Sequence, residues 1–150
     1  WSTRVGPGGD SDGIQFGTSV DDTRVYIGET NRAIPFGRPP VPYTLPSGQV
    51  INYGSFAALD GATGEIVWQV PNPVVGGENT GQTTVANGVV YACERAQGRM
   101  FAFDAASGAL LWQFPSGGSC TGGPSVVQGT VYWGNGAGST GNRLYAFAVD

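Results

Sequence analysis

Ala58-Leu59-Asp60-Gly61-Ala62-Thr63-Gly64-Glu65-Ile66-Val67-Trp68-Gln69 returns 44 residues later as Ala102-Phe103-Asp104-Ala105-Ala106-Ser107-Gly108-Ala109-Leu110-Leu111-Trp112-Gln113. The shared pattern is Ala-apolar-Asp-x-Ala-Thr/Ser-Gly-x-apolar-apolar-Trp-Gln. Each copy reads as a β-hairpin, with a strand ending at Asp60 or Asp104, a turn closed by Gly64 or Gly108, and a strand carrying Trp68 or Trp112. An Asp side chain accepts hydrogen bonds from turn amides, and Gly supplies the positive φ that such a turn requires. A third copy begins at Ala146-Phe147 and is cut at Asp150. A fixed period of this length marks a propeller or a solenoid.

Working outward, the same alternation of strand and turn fills the chain. Arg24-Val25-Tyr26-Ile27-Gly28, Val89-Val90-Tyr91-Ala92 and Thr130-Val131-Tyr132-Trp133 share an apolar-Tyr signature. Each follows a small turn, at Asp21-Asp22, Asn87-Gly88 and Gln128-Gly129, and Asn-Gly is a strong hairpin signal. Naming the strands of one unit A to D, the chain reads D, ABCD, ABCD, ABC. The expectation is an all-β propeller sector of about three four-stranded antiparallel blades. Residues 1–5 are a lone outer strand completing the last blade, 14–70 a blade with an insertion at 32–53, 82–114 a second blade and 123–150 the final one. An N-terminal strand that completes the C-terminal blade leaves no bare sheet edge there. Typical propellers have four to eight blades, so three imply further blades in a longer polypeptide or assembly between chains.

The insertion carries Pro35, Pro39, Pro40, Pro42 and Pro46 with Phe36, Tyr43 and Tyr53. Proline at this density blocks a regular ladder and leaves either a disordered linker or an ordered lid over one face.

Composition agrees with short strands and tight turns: 26 Gly, 10 Pro, 11 % aromatic and only 12 % charged residues. A net charge of −4 without a basic cluster argues against nucleic acid as a partner. No apolar run is long enough to span a bilayer as a helix. The chain has no His, which removes Ser-His-Asp and Cys-His catalysis, His-ligated zinc and haem attachment from these residues. Trp1-Ser2-Thr3-Arg4 does not read as a signal peptide; Trp1 holds the place of Trp68 and Trp112 and reads like the interior of a longer polypeptide.

Cys93 ends a B strand and Cys120 lies in the loop entering the next A strand, on the same face of neighbouring units. Two arrangements stay open, a disulfide worth roughly 3 kcal/mol by loop closure or two buried thiols. A bridge would fit a periplasmic or extracellular setting. Asp10-Ser11-Asp12-Gly13 alternates carboxylates but lacks the other ligands of a calcium loop, so a plain turn is expected.

The Ala-x-Asp-x-x-Thr/Ser-Gly-x-x-x-Trp motif resembles the tryptophan-docking repeat of pyrroloquinoline quinone (PQQ) dependent dehydrogenase propellers. Trp1–Gly9, Pro42–Gly48, Ser116–Ser119, Gly129–Gly134 and Asn142–Phe147 extend the likeness toward polyvinyl alcohol dehydrogenases, the chain matching the C-terminal portion. The resemblance implies a ring of about eight blades with PQQ and Ca²⁺ on its axis, oxidation of secondary alcohols on a polymer or small molecule, and transfer of electrons to a cytochrome c in the periplasm. Members of that family are several times longer, and their site draws on blades all round the ring. A sector alone is therefore catalytically incomplete, and neither a catalytic base nor a calcium ligand is assigned to a residue here.

On the face that the family uses for its cofactor, the D–A and B–C loops would bring Asp10, Asp12, Glu29, Asn31, Glu78 to Gln82, Glu94, Arg95, Ser119 to Gly122 and Trp133 to Asn135. PQQ carries three carboxylates, which cationic and hydrogen-bonding side chains suit. Arg95, Glu94, Thr121, Trp133, Asn135 and Thr80 are the cofactor-binding candidates, with Arg95 the foremost carboxylate partner; the alternative for each is a solvated loop residue. Trp68 and Trp112 are expected to pack between blades, with Asp60, Asp104, Gly64 and Gly108 as the docking turns. Trp133, outside that motif, is the aromatic expected to touch a ligand. Two other functional classes remain: a non-catalytic scaffold, as in outer-membrane assembly lipoproteins, and a chain that self-assembles into rings or filaments.

Overall fold

A computed structural model describes residues 1–9, 12–32, 39–136 and 141–148. Its described residues form strands and turns without a helix. The first sheet is a meander of β1 (Ser19–Val20), β2 (Arg24–Glu29), β5 (Ser55–Asp60) and β6 (Ile66–Pro71). Within the insertion between β2 and β5, β3 (Tyr43–Thr44) and β4 (Val50–Ile51) make a small hairpin. The second sheet runs β7 (Thr84–Ala86), β8 (Val89–Glu94), β9 (Arg99–Asp104), β10 (Leu110–Pro115). The third holds β11 (Ser125–Val127), β12 (Thr130–Gly134) and β13 (Leu144–Ala148). All neighbouring pairs are antiparallel.

The repeated turn forms as its residues dictate. Asp60 Oδ1 accepts the amides of Ala62 (3.0 Å) and Thr63 (2.8 Å) and the Thr63 hydroxyl (3.0 Å), and Gly64 follows at φ 76°. Asp104 Oδ1 takes the Ser107 amide (2.8 Å) and hydroxyl (2.6 Å), before Gly108 at φ 74°. These donors hold both carboxyls below the usual value of 3.8.

The tryptophans join the sheets. Trp68 is 8 % exposed, and its indole donates to Ala105 O (3.0 Å) in the second sheet's turn. A Cβ on Gly108 would lie 2.7 Å from the Trp68 ring, so glycine is needed both for its φ and for this approach. Around that contact, Tyr26, Phe56, Ala58, Val90, Phe101 and Phe103 form one core between the first two sheets. A second core, holding Cys93, Met100, Cys120 and Trp133, joins the second sheet to the third.

The blade expected from residue 14 begins with a short first strand, Ser19–Val20, preceded by a bridge from Gly13 to Thr30. Gly13 and Gly17 take positive φ, and Ile14 and Phe16 are about half exposed, so no core face holds an extended ladder there. Residues 1–5 stand apart from the three-stranded last sheet, without a strand assignment of their own, and lie along the first sheet. Trp1 donates to Gly61 O (3.0 Å), Thr3 to Gly64 O (2.6 Å), and Val5 closes a cluster with Ile27, Ala57 and Leu59. Trp1 thus meets the first sheet's turn as Trp68 meets the second's. Trp112, 37 % exposed, rests on Phe114 of its own sheet and Phe147 of the third, in a groove of about 500 Å³ that Leu111, Val131 and Ala146 also line. A docking turn that would match Gly108 falls past Asp150, which is outside the described residues.

The described part of the insertion is packed. Leu45 and Ile51 are buried, the Asn31 amide pairs both ways with the Val41 backbone, and the Tyr43 hydroxyl donates to Arg4 O (3.4 Å). Residues 33–38, with Pro35 and Phe36, lie outside the described set.

Candidate functional site

Strands β2 and β8 end on the same face as the loops leading to β7 and β11, and charged groups gather there. Glu78 accepts from Arg32 (3.1 Å) and faces Arg95 (3.6 Å), while Arg32 also faces Asp12 (3.7 Å). The two cations and two carboxylates balance, leaving Arg95, with a side chain 46 % exposed, as the outward-facing member. A cavity of about 360 Å³ opens beside them, between Asn52 and Tyr53 of the insertion and Val75 and Gly76 of the following loop. Asp10 lies outside the described residues.

Glu94 is fully buried, and its carboxylate accepts the amides of Glu78 (3.2 Å), Ala96 (2.6 Å) and Gln97 (2.8 Å). That is the work of a turn cap. Trp133, 1 % exposed, donates its indole N–H to Gly122 O (2.7 Å) and packs edge-on to Tyr91. It stands in the core beside the cysteines, with its one donor used. Asn135 is likewise engaged, donating to Ser116 O (2.8 Å) and accepting from Arg143 N (2.9 Å). Thr80 is 1 % exposed with a hydroxyl that has no hydrogen-bond partner. Thr121 is half-buried, and its carbonyl accepts from Gln82 N (3.2 Å). Of the six candidates, Arg95 presents an accessible charged group; Glu94, Trp133 and Asn135 serve partners within the chain.

Cys93 and Cys120 form a disulfide, with Cα atoms 5.9 Å apart and a sequence separation of 27. It pins the end of β8 to the loop entering the third sheet. Replacing both cysteines by serine is expected to cost about 3 kcal/mol, read as a lowered urea midpoint with a steeper slope, since the unfolded chain loses its cross-link. An unchanged midpoint would show that the bridge adds nothing to the folded state.

The sequence reading did not single out the relation between Glu29 and Glu94. Each stands three residues after the Tyr of the shared signature, Tyr26 and Tyr91, and aligning those tyrosines would have revealed it. Glu29 is 2 % exposed, with Oε1 unpartnered and Oε2 3.4 Å from the Ser55 hydroxyl. Burial pushes its carboxyl up to about 8; the Ser55 hydrogen bond opposes the rise and the Asp12 charge adds to it.

Residues 52–150 match the family described as outer membrane protein assembly factor BamB. The whole chain aligns with a polyvinylalcohol dehydrogenase of Pseudomonas sp at 28 % identity and covers 27 % of that protein. The chain thus spans about a quarter of the length of the curated relatives it matches. Among solved structures, the quinohemoprotein alcohol dehydrogenase of Comamonas testosteroni superposes with a TM-score of 0.61 at 22 % identity, over 92 % of this chain and 19 % of that one. BamB of Moraxella catarrhalis gives 0.56 at 20 % identity, over 91 % and 38 %. These likenesses carry the fold, an all-β propeller sector. With its docking turns in place and the match running over residues 52–150, the chain belongs to the PQQ-repeat propeller family described as outer membrane protein assembly factor BamB.

Proposed function

We propose that the chain is a sector of a PQQ-dependent alcohol dehydrogenase propeller, similar to polyvinyl alcohol dehydrogenase and acting on secondary alcohols. The observation that carries this reading is the alignment of the entire chain with such an enzyme. In an enzyme of that kind the quinone supplies the two-electron acceptor for the alcohol. Arg95 suits one PQQ carboxylate, and Thr80 keeps a buried hydroxyl without a hydrogen-bond partner. Among the described residues no group of three His, Cys, Asp or Glu side chains could hold a metal, so they do not fit a Ca²⁺ site of their own. Calcium, the catalytic base and most of the cofactor's contacts fall to the rest of the ring. In that ring, residues 1–5 would supply the outer strand that the third sheet lacks. The disulfide suits a periplasmic or extracellular compartment, and a cytochrome c would take the electrons.

The test is PQQ retention. The chain within its whole polypeptide, loaded with PQQ and Ca²⁺, should keep a quinone absorbance band through gel filtration. Arg95→Ala should weaken binding about tenfold to a hundredfold, the worth of one charged hydrogen bond. A protein that retains no quinone favours the second reading, a non-catalytic scaffold. The family match and the internal use of Glu94, Trp133 and Asn135 support that alternative.

A further inference from the structure

Glu94 and Glu29 occupy one position of two successive sheets, yet only Glu94 has the amides that such a carboxylate requires. Its donors at Ala96 and Gln97 come from the tight turn between β8 and β9. In the first sheet the insertion replaces that turn. What lies over Glu29 instead is the N-terminal segment. Gly6 sits so close to the carboxyl that a Cβ there would overlap it. From Oε2 a line of contacts runs to the Ser55 hydroxyl (3.4 Å), from there to the Gln69 amide (2.8 Å), and on to the carbonyl of Val5 (2.7 Å).

We propose that Glu29, Ser55 and Gln69 form a proton-operated clasp, which holds residues 1–9 on the first sheet while Glu29 is protonated and frees them when it ionises. The proton passes to solvent and leaves a carboxylate under Gly6 with no cation paired to it among the described residues. The Ser55 hydroxyl, at 3.4 Å, gives the carboxylate one long hydrogen bond, too little to offset its burial. Ser55 from β5 and Gln69 from β6 are neutral. Asp12 from the preceding loop is an anion, with Arg32 drawn to it and to Glu78. Arg4 on the segment itself turns its Nε to Gly6 O (3.1 Å). Burying an unpaired carboxylate is costly, and moving the segment aside is the shortest way to hydrate it. Release would uncover Ile27, Ala57 and Leu59, which Val5 covers, and would undock Trp1 from Gly61. The Tyr43 contact to Arg4 would carry the movement into the insertion. The clasp does not depend on the cofactor reading.

The experiment is an NMR titration from pH 4 to 9.5, following the Glu29 side-chain carbon and the exchange of the Trp1 indole proton, corrected for intrinsic exchange. Glu29 should titrate near pH 8, and Trp1 protection should fall about tenfold or more over the same interval. In Glu29→Gln, protection should stay high and flat with pH. Gly6→Ala, which leaves Glu29 in place, should give low protection at every pH, and it tests the clasp even if Glu29→Gln fails to fold. Titration near 4.5, flat protection through the titration of Glu29, or wild-type protection in Gly6→Ala would each overturn the proposal.

Discussion

Trp68→Ala is expected to lower the folding free energy by about 3 to 5 kcal/mol, and Trp112→Ala by about 1 kcal/mol or less. The residues share one motif position, so the contrast tests what surrounds them. Trp68 fills the space between Tyr26 and the second sheet, touches the backbone at Gly108, and gives its N–H to Ala105 O. Removing it leaves a cavity in the largest core and an unsatisfied carbonyl. Trp112 has a partly solvated ring, so its loss costs some stacking on Phe114 and Phe147. Urea unfolding of both variants decides the matter. Equal losses would mean that the position itself, not its docking turn, sets the energy.

The second large effect lies in pH. The Glu29 carboxyl titrates near 8 when folded and near its ordinary 4.5 when unfolded. Between those values the folded state keeps a proton that the unfolded state has lost. Stability is therefore full below about pH 4.5, falls as pH rises toward 8, and is level above. The integrated loss is on the order of 5 kcal/mol, less if local release of residues 1–9 hydrates the carboxylate first. Glu29→Gln should abolish this slope and be the more stable protein at pH 9. Asp21, Asp60 and Asp104 act in the opposite sense, but their carboxyls are lowered from 3.8 and lose stability only at more acid pH. Urea midpoints measured from pH 5 to 9 give the answer, and parallel profiles for the two proteins would sink it.

Much of the architecture was legible because a few of its turns are chemically demanding. An Asp that must receive two turn donors, a Gly at positive φ and a Trp at fixed distance leave a pattern that survives in the sequence. The disulfide was legible as one of two options, since the strand order alone brings Cys93 and Cys120 to one face. The face itself was less legible, because hydrogen-bond saturation does not appear in residue type. Glu94 in a loop reads as an available carboxylate until the amides of Ala96 and Gln97 are seen to close on it. Trp133 reads as exposed because its strand ends nearby. Yet Ile27 and Ala92, which precede it at the same place in the earlier sheets, are both buried, and that apolar column was the available signal. The network of Asp12, Arg32, Glu78 and Arg95 joins residues from four separate loops, and no spacing rule anticipates it.

The tryptophan joint also bears on how such a chain can be recombined. Trp68 is encoded with the first sheet, but its ring and N–H are used by the second, so the segment that repeats in sequence and the sheet that folds are out of phase. A cassette exchange that swaps whole sheets would keep every joint intact, because each incoming sheet brings both a tryptophan for the next and a glycine turn for the last. An exchange that cut into the turn from Ala105 to Gly108 would part the tryptophan from its acceptor and open the core that the first two sheets share.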